Sequence, residues 1–268
     1  MNKQSNKKFN DLIKYIEDNL CEEISYKKMS QILGVNEYTM HRIFLFVTNY
    51  TLADYIRKRR LSMAALDLLN GKEKIIDIAI KYNYDSSQAF SRAFKTMMGF
   101  LPSKISGNKT NIKFFSPYEL INDDVTDEFY YHIEKNLSFN LYAIPMKTTI
   151  KDCHNEAPLF WKNNREYIKN KKEYGLLEYD KTCNIDDATY YIASPEKFKN
   201  SSPLNLKPCN YLIFEYDYTN STALYEFCKK IYRTIIVNSK YSLEDLPDIE
   251  EYLPNNKLNL YIPIKWLF

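Results

Sequence analysis

Met40-His41-Arg42-Ile43-Phe44 returns fifty residues later as Phe90-Ser91-Arg92-Ala93-Phe94. Each copy runs apolar, polar, arginine, apolar, phenylalanine, and each follows a turn signal, Gly34 before the first and Asn83 before the second. Repetition at a fixed offset points to architecture before any single residue does. Two similar helices, each with an arginine opposite its apolar stripe, are what a protein needs to read two stretches of DNA groove.

Working outward from the repeat, Phe9, Leu12, Ile13, Ile16 and Leu20 recur at helical spacing, so residues 7–20 are predicted to form a helix. Ser25 caps a short helix through Ile32, and Gly34 supplies the left-handed corner. Asn36 caps a helix over 37–48, with Met40, Ile43, Phe44 and Val47 inward and Tyr38, His41 and Arg42 outward. Thr51 opens a stalk helix over 52–70 that Gly71 closes; Arg57, Lys58, Arg59 and Arg60 lie on it near the expected DNA side. The order then repeats with a short helix over 75–81 and Asn83 at the turn. Asp85 or Ser86 caps a helix through about Met97, and Asp85 with Gln88 also fits a capping box. That helix turns Phe90, Ala93 and Phe94 inward and Ser87, Gln88, Ser91 and Arg92 outward.

With 45% hydrophobic and 26% charged residues over 268 positions, the chain reads as a soluble protein of two domains. Its apolar runs fall short of the roughly 20 residues that span a bilayer, and Met1–Asn6 lead into no signal-peptide core. Cys21, Cys153, Cys183, Cys209 and Cys228 are odd in number and lack CxxC spacing. Reduced thiols and a cytoplasmic location are therefore expected. Residues 1–107 carry 17 Lys+Arg against 11 Asp+Glu, and the remainder 20 against 23, so the basic half is the one expected to meet nucleic acid.

Residues 108–126 turn polar and irregular and read as a linker. Beyond them strands are predicted over 129–135, 138–149, 174–179, 188–194, 210–217 and 258–264, with helices over 159–172 and 222–237. Two βα-containing halves of similar order point to a duplicated α+β module enclosing a cleft.

The first 8–106 residues resemble the DNA-binding domain of the AraC/XylS family of transcription regulators. The likeness rests on Tyr55-Ile56-Arg57-Lys58-Arg59-Arg60-Leu61-Ser62-Met63-Ala64, on Ile78-Ala79-Ile80-Lys81-Tyr82, on Ser91-Arg92-Ala93-Phe94-Lys95 and on Gly99-Phe100-Leu101-Pro102-Ser103. Asn83 departs from the glycine usual there. The resemblance implies two helix-turn-helix units whose second helices enter successive major-groove segments, so that one chain suffices for an asymmetric site. Tyr38, Thr39, His41 and Arg42 in the first unit and Ser87, Gln88, Ser91 and Arg92 in the second are the expected base readers. Arg57, Arg59 and Lys95 are expected on phosphates.

Residues 127–267 more loosely resemble the gyrase-inhibitor-like effector-binding domain of multidrug-sensing regulators. The matching segments are Pro158-Leu159-Phe160-Trp161, Lys172-Glu173-Tyr174-Gly175-Leu176, Ser239-Lys240-Tyr241, Ile249-Glu250-Glu251-Tyr252-Leu253-Pro254 and Leu260-Tyr261-Ile262-Pro263-Ile264. The resemblance implies a hydrophobic, often cationic compound held against aromatic faces and a carboxylate. Tyr142, Trp161, Tyr216, Tyr252 and Tyr261 are the candidate aromatics, and Glu215 and Glu250 the candidate anchors. Asn259 stands where relatives often carry an acid, and 235–237 lack the usual tryptophan, which leaves a neutral ligand or lost binding as alternatives.

No P-loop, GxSxG, HExxH or metal-like Cys/His spacing occurs, and the adjacent Cys153-His154 cannot face one another on a regular element. The expectation is a multidomain, non-enzymatic chain without metal or cofactor. An all-α double helix-turn-helix domain spans 1–107 and a duplicated α+β ligand-binding domain spans 127–268. Its expected partners are double-stranded promoter DNA, RNA polymerase and a small hydrophobic effector, with no membrane, and its expected action is activation. The alternative makes the second domain a small-molecule hydrolase or drug-sequestering module tethered to DNA.

Overall fold

The computed structural model describes residues 3–108, 111–120, 129–180, 187–233 and 241–266. Helices α1 (Lys3–Asp18), α2 (Tyr26–Leu33), α3 (Glu37–Thr48), α4 (Leu52–Asn70), α5 (Ile75–Lys81) and α6 (Ser87–Met98) come first. After them follow β1 (Tyr131–Thr149), α7 (Cys153–Ile168), β2 (Glu173–Tyr179), β3 (Asp187–Ser194), β4 (Ser202–Asp217), α8 (Ser221–Ile231), β5 (Tyr241–Leu243), β6 (Asp248–Leu253) and β7 (Lys257–Trp266). Contacts divide the chain into two units. One holds Asn2–Gly34 and Leu52–Asp123; the other holds Val35–Thr51 and Asp124–Phe268. No described helix is long and apolar enough to cross a membrane.

In the first unit α1 buries Phe9, Leu12, Ile13 and Ile16, the stripe its spacing predicts. Ser25 Oγ accepts from the Lys28 amide, and Gly34 ends α2 at φ 76°, its amide donating to the Ser30 and Gln31 carbonyls. The stalk α4 contributes Leu61, Ala64 and Ala65 to a core completed by Ile78 and Ala79 of α5 and Phe90, Phe94 and Met98 of α6. Asn83 takes the left-handed conformation at φ 59°, so asparagine fills the glycine position of this second helix-turn-helix. Ser86, not Asp85, caps α6 by accepting from the Ala89 amide. Gln88 then falls one residue short of closing a box, and its Oε1 accepts instead from Ser87 Oγ at 3.3 Å.

Arg59 corrects one expectation. It is buried, donates to both oxygens of Glu17 at 2.7–3.0 Å and to the Phe115 carbonyl, and so fastens α1 and the 111–120 segment to α4. Arg57, two residues away, stays exposed, its guanidinium on Asp54 of the same helix. Helical rotation of roughly 200° over two residues separates them: one faces the core, the other water. The 111–120 stretch, which reads as linker, is tied down further where Tyr118 donates its amide to Tyr55 and Leu120 to Asn10.

Among the described residues of the second unit seven antiparallel strands run in the order β4-β1-β3-β2-β6-β7-β5, and β4 also pairs with β7, so six of them close into a ring. The duplication is visible in the pairings. β1-α7-β2-β3 and β4-α8-β6-β7 repeat one order; β1 pairs with β3 as β4 pairs with β7, while β2 meets β6 and β1 meets β4. Phe139, Leu141, Tyr174, Leu176, Tyr211, Ile213, Ile249 and Tyr261 form the core on one face of the sheet. Cys153, Ala157, Ile168, Tyr190 and Ile192 pack beneath α7 on the other.

Several boundaries differ from expectation. Strands predicted over 129–135 and 138–149 are one strand, β1, with register shifts between Glu134 and Phe139 where Asn136 sits at φ 56°. α7 starts at Cys153 and carries Pro158 inside it, which hides its first turns from a sequence reading. β4 begins eight residues early, at Ser202, and β5 and β6 were not predicted. The end of the predicted 222–237 helix lies beyond residue 233, outside the described residues.

The larger correction concerns α3. Tyr38 is half-buried, and every residue from Thr39 to Thr48 is buried, His41 and Arg42 included. Within this unit several of its polar groups are engaged. Asn36 caps α3 through Thr39 and turns its amide toward Ser242 and the Leu243 carbonyl. Thr39 Oγ1 accepts from the Leu243 amide at 2.9 Å, and Arg233 donates to the Val47 carbonyl at 2.9 Å. Amphipathic spacing foresees one buried stripe, not a helix buried on every side.

The contrast on α4 is measurable. Replacing Arg59 by alanine strands Glu17 in a largely desolvated site and should cost about 2–3 kcal/mol in urea unfolding. Arg57→Ala should stay within about 0.5 kcal/mol.

Candidate functional site

The site in the second unit grows out of β6. Alternation along an extended strand sends Asp248, Glu250 and Tyr252 to one face and Ile249 and Glu251 to the other. The first face looks into a pocket of about 70 Å³ walled by Trp161 and Cys153 of α7, Tyr225 and Cys228 of α8, Tyr179 and Tyr190 of the sheet, and Phe46 of α3. Apolar and aromatic walls around a few polar atoms are the usual form of a small-molecule site.

Glu250 lines it. Its Oε2 accepts from Tyr190 at 2.8 Å and Tyr252 at 2.7 Å, and Trp161 Nε1 donates to the Tyr190 oxygen at 3.0 Å. Trp161 and Tyr218 both meet the Tyr252 ring edge to face, with centroids 5.4 and 5.5 Å away. Burial raises the Glu250 pKa above the ordinary 4.5, against the pull of the two hydroxyls, with the nearby Asp248 charge adding to the rise. Among the described residues no cation pairs with it. The geometry depends on Gly175, across the strand pair from Glu250, where a Cβ would overlap both the Tyr190 hydroxyl and the Glu250 carboxylate.

Asp248, deeper in the same wall, is neutralised from α3. Arg42 Nη2 reaches its Oδ2 at 2.5 Å, with a fully buried guanidinium side chain. Tyr179 donates to the same oxygen at 2.6 Å and Tyr232 at 3.3 Å, and the Arg42 Nη2 also contacts the Tyr232 hydroxyl. The Arg42 guanidinium stacks 3.7 Å from the Tyr179 ring centroid. Burial lifts the Asp248 pKa while Arg42 and Tyr179 oppose the rise. Its other oxygen, Oδ1, is buried with no hydrogen-bond partner among the described residues. His154 stacks on Tyr225 at 4.7 Å, its buried Nδ1 likewise unmatched. Burial pushes the Cys153 and Cys228 thiols up, so they stay protonated and poor nucleophiles at neutral pH.

Of the expected ligand residues, the structure gathers Trp161, Glu250 and Tyr252. The other four lie elsewhere. Tyr142 packs partly buried in the cluster under α7. Glu215 is exposed on β4, and Tyr216 stacks on Phe227. Tyr261 is in the opposite core, donating to Glu251. Asn259 also faces that side, its amide donating to Glu251 at 3.2 Å, so the departure noted in the sequence does not touch the pocket. Tyr179, Tyr190, Asp248 and Phe46 were missed. The period-two run Asp248-Ile249-Glu250-Glu251-Tyr252 was the available signal, obscured because carboxylates are poor strand formers.

Of the expected base readers, α6 presents Gln88 and Arg92 exposed and Ser87 and Ser91 half-buried, with Lys95 exposed a turn later. Among the described residues Arg92 makes no ion pair. On α3, Thr39, His41 and Arg42 are buried, and burial lowers the His41 pKa to about 4, so the imidazole is neutral at pH 7.

Because Gly175 leaves room for the Tyr190–Glu250 contact, Gly175→Ala should lower affinity for any pocket ligand by about tenfold or more. Titration calorimetry with the variant, alongside its thermal unfolding, checks this; unchanged affinity would remove Glu250 and Tyr190 from the site.

Residues 29–107 match the helix-turn-helix domain family and residues 132–264 the integron-associated effector binding protein family. The regulatory protein SoxS of Escherichia coli is 37% identical over 93 residues, covering 35% of this chain and 87% of that one. The HTH-type transcriptional activator AarP of Providencia stuartii is 36% identical over 93 residues, covering 35% and 69%. The transcriptional regulator Rob of Salmonella typhimurium is 25% identical over 263 residues, covering 91% of this chain and 90% of its own. With a double helix-turn-helix ahead of an effector-binding domain, the chain belongs to the AraC/XylS family of transcription regulators.

Proposed function

We propose that this regulator activates transcription when an aromatic organic cation occupies the pocket around Glu250. Residues 1–107 serve as the DNA-binding domain, 127–268 as the effector domain and 108–126 as their connection; RNA polymerase is the partner at the promoter. The observation that carries the ligand class is the Glu250 carboxylate, enclosed by Trp161, Tyr190, Tyr218 and Tyr252 and matched by hydroxyls but by no cation among the described residues. A half-buried carboxylate ringed by aromatic residues without a counter-charge is costly, and a cation that also rests on ring faces relieves that cost. Activation follows the relative AarP, itself a transcriptional activator. The pocket thiols, held protonated by burial, supply no nucleophile.

On DNA, Ser87, Gln88, Ser91 and Arg92 of α6 are the readers of one half-site, with Arg57 and Lys95 on phosphates. Tyr38, Thr39, His41 and Arg42 of α3 are the readers of the other. Arg92→Ala should cost about 1–3 kcal/mol of specific binding, and Lys95→Ala should weaken all sequences alike and reduce the salt slope by about 1. Fluorescence anisotropy on a selected duplex across a salt series separates the two.

Tetraphenylphosphonium and the neutral triphenylphosphine oxide, of similar bulk, test the ligand class. Glu250→Gln should weaken the cation by about tenfold or more and leave the oxide nearly unchanged. A proton and the cation compete for the carboxylate, so cation affinity should hold near neutral pH and fall as pH drops through the raised Glu250 pKa. Calorimetry from about pH 8 to about pH 4, below the ordinary carboxylate value, reads this. Equal loss of both ligands, or a flat pH profile, would contradict the assignment.

A further inference from the structure

Arg42 is a candidate base reader and at the same time the counter-charge of a pocket residue. We infer that the Arg42–Asp248 pair is a latch that withholds α3 from DNA, and that an organic cation in the pocket opens it by taking over the neutralisation of Asp248. The inference rests on the proposed ligand class and adds how the site is regulated.

Three observations converge on α3. Its arginine is fully buried against Asp248, Tyr179 and Tyr232, so a guanidinium held there cannot also pair with a base edge. Its Phe46 stacks on Tyr232 at 4.2 Å and forms one wall of the pocket. The Asn36, Thr39 and Val47 contacts hold the rest of the helix to β5 and Arg233. In this state the pocket offers about 70 Å³, whereas ligand sites run to about 300–1,000 Å³. A polyaromatic occupant therefore has to move a wall.

Charge selects which wall moves. Asp248 and Glu250 line the pocket, and among the described residues Asp248 pairs with Arg42 while Glu250 pairs with no cation. A ligand cation set against Glu250 and the unmatched Asp248 Oδ1 competes with Arg42 for the same carboxylate and repels its guanidinium, so the arginine is the charge that leaves. Phe46, on the same helix one turn along, leaves with it. Loss of Arg42 from the protein interior then coincides with its availability to DNA, and effector and DNA favour the same released helix. By linkage each raises the affinity for the other by the same factor.

The test uses the full chain and a duplex selected from a random pool with tetraphenylphosphonium present. Asp248→Asn keeps the side-chain shape but removes the counter-charge. Without any ligand it should bind the duplex tighter than wild type by about 5- to 150-fold, the usual range of coupling between sites. Tyr232→Phe, which removes a hydroxyl from the same cluster but lies outside the pocket lining, should give a smaller gain and guards against a misfolded first variant. In wild type, tetraphenylphosphonium should produce the gain by itself. If the cation binds wild type while its DNA affinity is unchanged, and neither variant gains, the latch is overturned and the ligand class stands. If the variants gain but no cation binds, the latch is supported and the ligand class of the previous section fails.

Discussion

The buried pair of Arg42 and Asp248 is the interaction on which the rest of the second unit depends. Removing an arginine from water is costly unless its charge is met, and here the Asp248 carboxylate, the Tyr38 and Tyr232 hydroxyls and the Tyr179 ring face meet it. The same carboxylate lines the pocket, and the same helix supplies Phe46 to its wall. A polar cluster of this kind stabilises less than a packed apolar one of equal volume, but it defines one arrangement and is sensitive to any new charge nearby. Such sensitivity suits a sensor.

Two carboxylates two residues apart on one strand have been given different tasks by their surroundings. Asp248 faces a guanidinium and completes an internal ion pair. Glu250 faces hydroxyls and aromatic rings and keeps a charge requirement that the described residues do not satisfy. Gly175 makes this possible, because any side chain there would fill the space that Tyr190 and Glu250 share. Duplication of the β-α-β-β half supplies two helices, α7 and α8, over one sheet face, and the pocket takes aromatic residues from both.

Much of this was legible in the sequence where local chemistry and tertiary packing agree. The Met40–Phe44 and Phe90–Phe94 repeat, the Ser25, Asn36 and Ser86 caps, and asparagine at the Asn83 turn all lie where periodicity and cap chemistry place them. Trp161, Glu250 and Tyr252 were named and are together. What was not legible depends on long-range partners. The outward face of α3 looks like a solvated recognition surface until Asp248, 206 positions away, is found against Arg42. Arg59 reads as one of four basic surface residues until Glu17 is found beside it. Tyr216 and Tyr261 were equal to Tyr252 as candidates by composition, and only strand register shows which face each one takes.

Amide hydrogen exchange of residues 37–48, measured on the full chain with and without tetraphenylphosphonium, tests the central claim most directly. The cation is expected to speed exchange across α3 while slowing it in β6, because the helix is released as the pocket fills. Slower exchange in both segments would mean that ligand and Arg42 share the site without competing, and the coupling described above would be wrong.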